Sequence, residues 1–395
     1  MSFAIALSGI NAINEDLNTI SNNIANAGTY GFKSSRTNFA AMYAGLQPTG
    51  TEASSRTQSI EVGGGVLMTG RAMDASIQGR GFFVTRDSSG AEVYTRVGIF
   101  AVDKEGFVVD SFGRRVQGYN VVPGTTALGA MGDLQVPSGQ VPAQASTEVR
   151  YVGNLSFDWA IPAVAPFDRT DPQTYNSSIV TVVYDSLGVQ HSVTQYFVRT
   201  GTNQVTVHYT MDGTDLPTTT VLDFNTNGQL TSPLGAVPLA LGTPPGAAPL
   251  TVNLNYAGTT FFGGEATTTT NNSNGYASGT LVGVQLGEDG AVLAQYSNGL
   301  KQRVGTIALA TFAAEHELVP ISDTAWTTSS ASGQPLYSVP GAGMAGNLTP
   351  GSLEQSNVDM TAQLVNLMSA QRNYQANTKV ISAQNEMMQT LMQAV

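Results

Sequence analysis

The sequence predicts a mostly β protein with a long α-helix at each end. Three observations carry that prediction. Apolar residues recur at heptad spacing near both termini. The interior alternates apolar and polar residues in short runs broken by Gly and Asp. Charged residues supply only 11% of 395 positions while Gly supplies 43 of them, a composition that suits turn-rich sheets with uncharged polar faces.

In the N-terminal helix the apolar positions are Phe3, Leu7, Ile10, Ile13, Leu17, Ile20 and Ile24. From Ile10 onward they follow an a/d seam. Asn11, Asn14, Glu15, Asn18, Ser21 and Asn22 fall on the opposite side. Gly28 stands where a left-handed helix stop is expected. The helix should therefore run roughly 37 Å. The stretch after it, 44–66, reads as a loop-like connector with little core of its own.

The body then reads as hairpins. Residues 81–96 form two alternating runs around Asp-Ser-Ser-Gly, and 98–119 repeat the device around Asp103-Lys104-Glu105-Gly106. Residues 178–209 give three further runs, and 281–312 another hairpin and a strand. Pro and Gly cluster at 123–147, 159–176 and 333–352. The last segment is a breaker-rich linker into the final helix.

Past Gly351 no Gly or Pro occurs. Met360, Leu367, Tyr374, Ile381, Met388 and Val395 recur every seven residues, and the positions four after the first five are Leu364, Gln371, Thr378, Asn385 and Met392. The seam is apolar at its ends and polar in its middle, and the polar members are expected to set register. Ser352 with Gln355 fits a capping box, and Ser356 with Asp359 is a second start signal.

Composition excludes several classes of function. The net charge is −11, and the only lysines are Lys33, Lys104, Lys301 and Lys379. No basic patch exists for nucleic acid or for an anionic membrane surface. Cysteine is absent, which removes disulfides and thiolate metal sites. The first ten residues lack the basic region of a secretory signal. The longest uncharged stretch, 224–264, is too polar and Pro-rich to span a membrane.

Candidate chemistry is thin. Of the three histidines, His191, His208 and His316, the first two sit in strand-like runs and have no acidic or histidine partner at ligand spacing. Asp87, Asp103, Asp110, Asp185, Asp212 and Asp289 sit beside Gly and read as turn residues. No nucleophile elbow or Walker loop occurs, and the glycine run at 63–65 lacks strand–loop–helix context. Neither catalysis, cofactor nor metal is expected. What remains is the two narrow helical seams, which need an apolar partner in the other terminus or in another copy of the chain.

Specific motifs narrow the reading. Ser21-Asn22-Asn23-Ile24-Ala25-Asn26-Ala27 leads into Thr29-Tyr30-Gly31-Phe32-Lys33. SNVDM (356–360), with Asn357 and Asp359, leads into AQRNYQANTKVI (370–381), with Gln371, Arg372 and Tyr374. On these residues the chain resembles the bacterial flagellar axial proteins of rod and hook. GRGFFV (79–84), QGY (117–119), VGTIALATF (304–312) and GNLTPGSLEQSNVD (346–359) are similar to the hook form. The resemblance is specific over about 1–120 and 280–395. QNEMM (384–388) departs from the family's usual acid after a Thr-rich approach.

The resemblance implies a nested architecture. Residues 1–30 and 353–395 would form a helical coiled-coil core domain, the inner tube. Residues 31–70 and 340–352 would connect it outward. Residues 71–148 and 285–339 would form one β domain, and 149–284 an inserted outer one. Ile10, Ile13, Leu17, Ile20, Ile24, Met360, Leu364, Leu367, Tyr374, Ile381 and Met388 would carry self-assembly. The implied function is a structural subunit of a curved hollow hook, a universal joint passing torque from rod to filament. Implied partners are further copies, rod, hook-cap and hook–filament junction proteins, and the flagellar type III export apparatus. The implied place is outside the cell, reached without a cleaved signal. A distal rod or hook-associated axial protein is an alternative within the family. A monomeric surface adhesin, with Trp159 or Trp326 as sugar platforms, is an alternative of another class.

Overall fold

The computed structural model describes residues 2–393, apart from 123, 124 and 138. The chain divides into two compact units, one of Met1–Ser138, Gly283–Gln295 and Lys301–Val395, the other of Gly139–Val282 and Tyr296–Leu300. The fold is mostly β with one long helix toward each end, as the patterning predicts.

In the first unit α1 spans Ser2–Ala25 and α2 spans Met360–Gln393. Helix α1 stops three residues short of Gly28. Ala27 N reaches only Ile24 O, at 3.3 Å, and Thr29 N reaches Asn26 O, so the last turns tighten to i−3 bonds. Asn26 also donates its side-chain amide to Asn22 O at 3.0 Å, a local alternative to helix continuation. The glycine in the left-handed region is Gly31, at φ +68°.

The expected loop at 44–66 is instead the outer half of a hairpin. Strand β1 (Ser35–Ala44) pairs antiparallel with β2 (Gln47–Gln58), with Gly45 at φ +66° in the turn. Strand β2 shows no apolar alternation because its inner side meets the small-residue face of α1, where Gly, Ala and Thr fit and large side chains do not. Strand β3 (Val66–Met68) pairs with Ser352–Glu354, and β4 (Ala75–Gln78) with Asn347–Pro350. The 353–359 stretch is thus strand and turn rather than helix. Ser352 bonds Ser76 at 2.7 Å instead of capping. The N-cap of α2 is Asp359, whose Oδ1 accepts from Thr361 N at 2.9 Å and Ala362 N at 3.1 Å.

Beyond them β5 (Phe82–Arg86) and β6 (Glu92–Thr95) open the larger sheet. Its core gathers Ile60, Phe82, Val84, Tyr94, Phe312, Leu318 and Trp326. Trp326 is buried and donates to Gln58 Oε1 at 2.7 Å, so it offers no sugar platform. The hairpin turns share one device: the Asp carboxylate accepts from backbone N–H groups two and four residues on. Asp87, Asp103 and Asp110 all do this within 3.0 Å, as turn duty requires.

The second unit is a β sandwich. Five strands from Ser177–Tyr184 to Leu230–Ser232 form one sheet, and Val237–Gly242, Leu250–Asn255, Glu148–Asn154 and Thr267–Ser273 the other. Alternate residues of both sheets enter one core, including Val149, Tyr151, Phe197, Tyr209, Leu222 and Tyr256. Trp159 packs against that core.

Candidate assembly surface and the clasp beneath it

Helix α1 buries a face of small residues. Ala6, Gly9, Ala12, Thr19, Ile20 and Asn23 are its buried members, and they meet α2 and the β1–β2 hairpin. The two helices run antiparallel. Asn23 Nδ2 donates to Gln363 Oε1 at 3.3 Å near one end, and Gly9 lies against Asn377 near the other. The hairpin is held by Thr51 N to Ser8 Oγ (3.2 Å), Thr37 Oγ1 to Thr19 Oγ1 (2.9 Å) and Arg56 to Glu15 (3.5 Å).

The predicted N-terminal stripe is placed in part. Ile20 is 4% exposed, Ile10, Ile13, Leu17 and Ile24 are half-buried, and Phe3 and Leu7 are exposed. In α2, Leu367, Tyr374 and Ile381 are half-buried as their heptad spacing suggests. Their companion row differs from the expected one. It lies four residues before each, at Gln363, Ala370 and Asn377, while Leu364 and Gln371 are exposed. The contact selects small residues because α1 approaches closely through Gly9 and Ala12. Met360, Leu364 and Met388 are exposed, although Met360 and Met388 continue the heptad row of Leu367, Tyr374 and Ile381 at its two ends.

At the base of the helices the motif residues form a polar clasp. Lys33 is 1% exposed. Its Nζ donates to Glu354 Oε1 at 2.6 Å and to Val62 O at 2.8 Å. Glu354 also receives Arg96 Nη1 at 3.3 Å and Gly64 N at 3.0 Å, and its backbone carbonyl takes Gly31 N at 2.8 Å. Arg96 reaches on to Gly79 O at 2.9 Å and lies over the Phe82 ring. Burial pushes both the Lys33 ammonium and the Arg96 guanidinium below their ordinary ranges, against the opposing pull of Glu354.

Two asparagines complete the clasp. Asn357 accepts from Ser34 N at 2.7 Å and donates to Ser59 O and Val62 O. Its own N–H meets Phe32 O. Asn23 clamps Ser35 at both backbone groups, at 2.7 and 2.9 Å. Gly31 is required because a Cβ there would lie 3.0 Å from the Arg96 carbonyl carbon. Gly64 is pressed against the Gln355 carbonyl, which gives the 63–65 glycine run its structural reason. Asn22, Asp359, Gln371 and Arg372 are exposed.

Glu354 and Arg96 do not emerge from the sequence patterning. One signal exists: Glu354 is the first charged residue after Asp323, and Lys33 is the first cation of the chain. The second unit holds another unforeseen group. His191, expected to lack acidic partners, has Nδ1 2.7 Å from Asp212 and Nε2 3.4 Å from Asp185. The hairpin turns bring His191 back onto Asp185, 6 residues before it, and bring Asp212, 21 residues after it, onto His191. Burial opposes protonation of His191, but hydrogen bonds and charge from both aspartates raise its pKa overall. No cluster of His, Asp or Glu among the described residues is arranged to hold a metal ion, and no described helix is long and apolar enough to cross a membrane.

Family models match four segments of the chain. Residues 3–33 match the family described as Flagella basal body rod protein, and 76–156 the Flagellar hook protein FlgE/F/G D1 domain. Residues 154–276 match the Flagellar basal body protein FlaE D2 domain, and 349–394 the Flagellar basal body rod FlgEFG protein C-terminal family. The Flagellar hook protein FlgE of Salmonella typhimurium is 39% identical, and that of Escherichia coli 37%, each over 99% of both chains. That of Brucella suis is 32% identical over 98% of this chain and 96% of its own. The crystal structure of Helicobacter pylori flagellar hook protein FlgE2 covers 71% of this chain and 98% of that one, with a TM-score of 0.52 and 14% identity, a likeness of fold. Full-length identity at this level establishes that the chain belongs to the flagellar hook protein family.

Proposed function

We propose that this chain is the structural subunit of the flagellar hook, a curved hollow polymer coupling rod to filament. The carrying observation is the outer side of α2. Its inner side is satisfied by α1, yet Val365 and Met368 on the far side, and Leu364, Val380 and Met387 beside them, remain exposed. A long helix with an uncovered apolar row gains stability from a further copy, at about 1.5–3 kcal/mol per fully buried side chain. Contacts of one copy with the next that do not close on themselves give a helical tube.

In this reading the terminal helices form the inner layer and the β units the outer ones. Ile10, Ile13, Leu17, Ile20 and Ile24 hold the helix pair in shape, and the outer row of α2 bonds copies together. The polymer meets rod, hook-cap and junction proteins at its ends, and its subunits leave the cell through the flagellar type III route. Electron microscopy of concentrated protein tests the reading. Wild-type chains should form tubes. Val365→Asp should abolish them with the β circular-dichroism signal unchanged. Wild-type protein that stays monomeric at high concentration, or normal tubes from Val365→Asp, would refute it.

A further inference from the structure

A groove of about 720 Å³ runs along the helix pair. Its floor is α1 from Ile5 to Ile20, a length of roughly 22 Å. One wall is α2, at Asn366, Ser369 and Asn373, and the other is the hairpin, at Phe39 and Gly50. Gly9, Ala12, Gly50 and Ser369 keep parts of the lining shallow, so a helix backbone can approach closely there. Four turns of a second helix match the floor in length.

The charges say which helix. Helix α1 carries Glu15 and Asp16, and α2 carries Arg372, Lys379 and Glu386. Glu15 is paired with Arg56. Asp16 lines the groove, half-buried, and makes no ion pair among the described residues; the other charged lining residue, Arg36 on the hairpin, turns its Nε to Thr57 Oγ1 at 3.0 Å. Burial raises its carboxyl pKa, against a hydrogen bond to Thr37. Arg372 and Lys379 are exposed and likewise unpaired among the described residues. They stand one heptad apart and lie roughly 160–180° around α2 from the row that faces α1. Val365 and Met368, both exposed, share that outer side.

We propose that the groove receives α2 of a second copy of this chain, with Arg372 or Lys379 of that copy on Asp16. The proposal rests on the polymer reading above and names the contact that reading leaves open. An acid without an ion pair on the floor and two cations on the back of the incoming helix complement each other. Val365 and Met368 enter beside them and leave water. Each copy offers one groove and one helix back, so the contact repeats from copy to copy without using itself up.

Cross-linking tests it directly, because the chain has no cysteine of its own. Asp16→Cys subunits are mixed with Arg372→Cys or Lys379→Cys subunits carrying a tag of different mass, assembled, and oxidised. A disulfide-linked heterodimer is expected for at least one pairing. Asp16→Arg should raise the critical concentration for assembly at least tenfold, and Asp16→Asn should raise it less. Adding Arg372→Asp or Lys379→Asp to Asp16→Arg should restore assembly in one of the two cases. Tubes that form normally yet give no heterodimer in either pairing overturn this contact and leave the hook reading standing. Wild-type protein that forms no tubes overturns the hook reading itself.

Discussion

Lys33 Nζ and Glu354 Oε1 lie 2.6 Å apart in the interior although 321 residues separate them in the chain. This contact joins the segment leaving α1 to the strand that leads back into α2. Arg96 adds the β body to the same carboxylate. One acid therefore holds both ends of the chain and the body between them, which places the helices at a fixed point on unit one.

Removing the acid should cost more than removing either cation. Glu354→Leu strands Lys33 and Arg96 together in the interior, whereas Lys33→Met leaves Glu354 bonded to Arg96 and Gly64. Breaking a buried pair from one side typically costs about 3–5 kcal/mol, so Glu354→Leu should fall at or above that range and Lys33→Met below it. Chemical denaturation measures both. The opposite order would remove Glu354 from the centre of the clasp.

Two glycines three residues apart should respond differently to alanine. Gly31 is at positive φ, and a Cβ added to it would stand 3.0 Å from the Arg96 backbone, while one added to Gly28 would meet nothing within 4 Å. Gly31→Ala should lower stability by about 1–3 kcal/mol. Gly28→Ala should stay within about 0.5 kcal/mol of wild type. Equal effects in a denaturant titration would mean that the backbone at Gly31 relaxes freely.

The hairpin tip should matter to the polymer and not to the subunit. Leu46 is 99% exposed and Tyr43 66%, so neither supports a core. Replacing residues 43–48 by a two-residue Asn-Gly turn should leave the melting temperature unchanged and alter tube length or stiffness. A fall of several degrees in melting temperature would show that the tip supports the subunit fold.

The His191 clamp should show a bounded pH range. Its raised pKa means stability that is full below about pH 6.5 and is lost as pH rises through the folded value. Asp185 and Asp212 are both lowered overall: burial opposes ionisation, and backbone N–H groups and His191 outweigh it. Their contribution is present above the ordinary carboxylate range and is lost as pH falls through the folded values. Amide exchange at residues 185–192 should be slowest between about pH 4 and 6.5 after correction for intrinsic rates. His191→Gln should flatten the alkaline side, and a profile identical to wild type would sever His191 from it.

The sequence by itself determined the element types and the turn chemistry. Heptad spacing made the two terminal helices legible, and Asp-x-x-Gly made the hairpins legible, because both depend on neighbours within a few residues. The motif residues Asn23, Gly31, Lys33 and Asn357 were also visible as a set. Tertiary structure alone decided what they do. Glu354 and Arg96 join Lys33 through contacts spanning hundreds of residues, and no local period encodes such a meeting. The hairpin at 35–58 escaped patterning because its strands pack on the glycine and alanine face of α1, so their inward residues are small instead of apolar. For the same reason the row of α2 that faces α1 runs through Gln363, Ala370 and Asn377. Close helix approach favoured small side chains there, and that left Leu364, Val365 and Met368 outside.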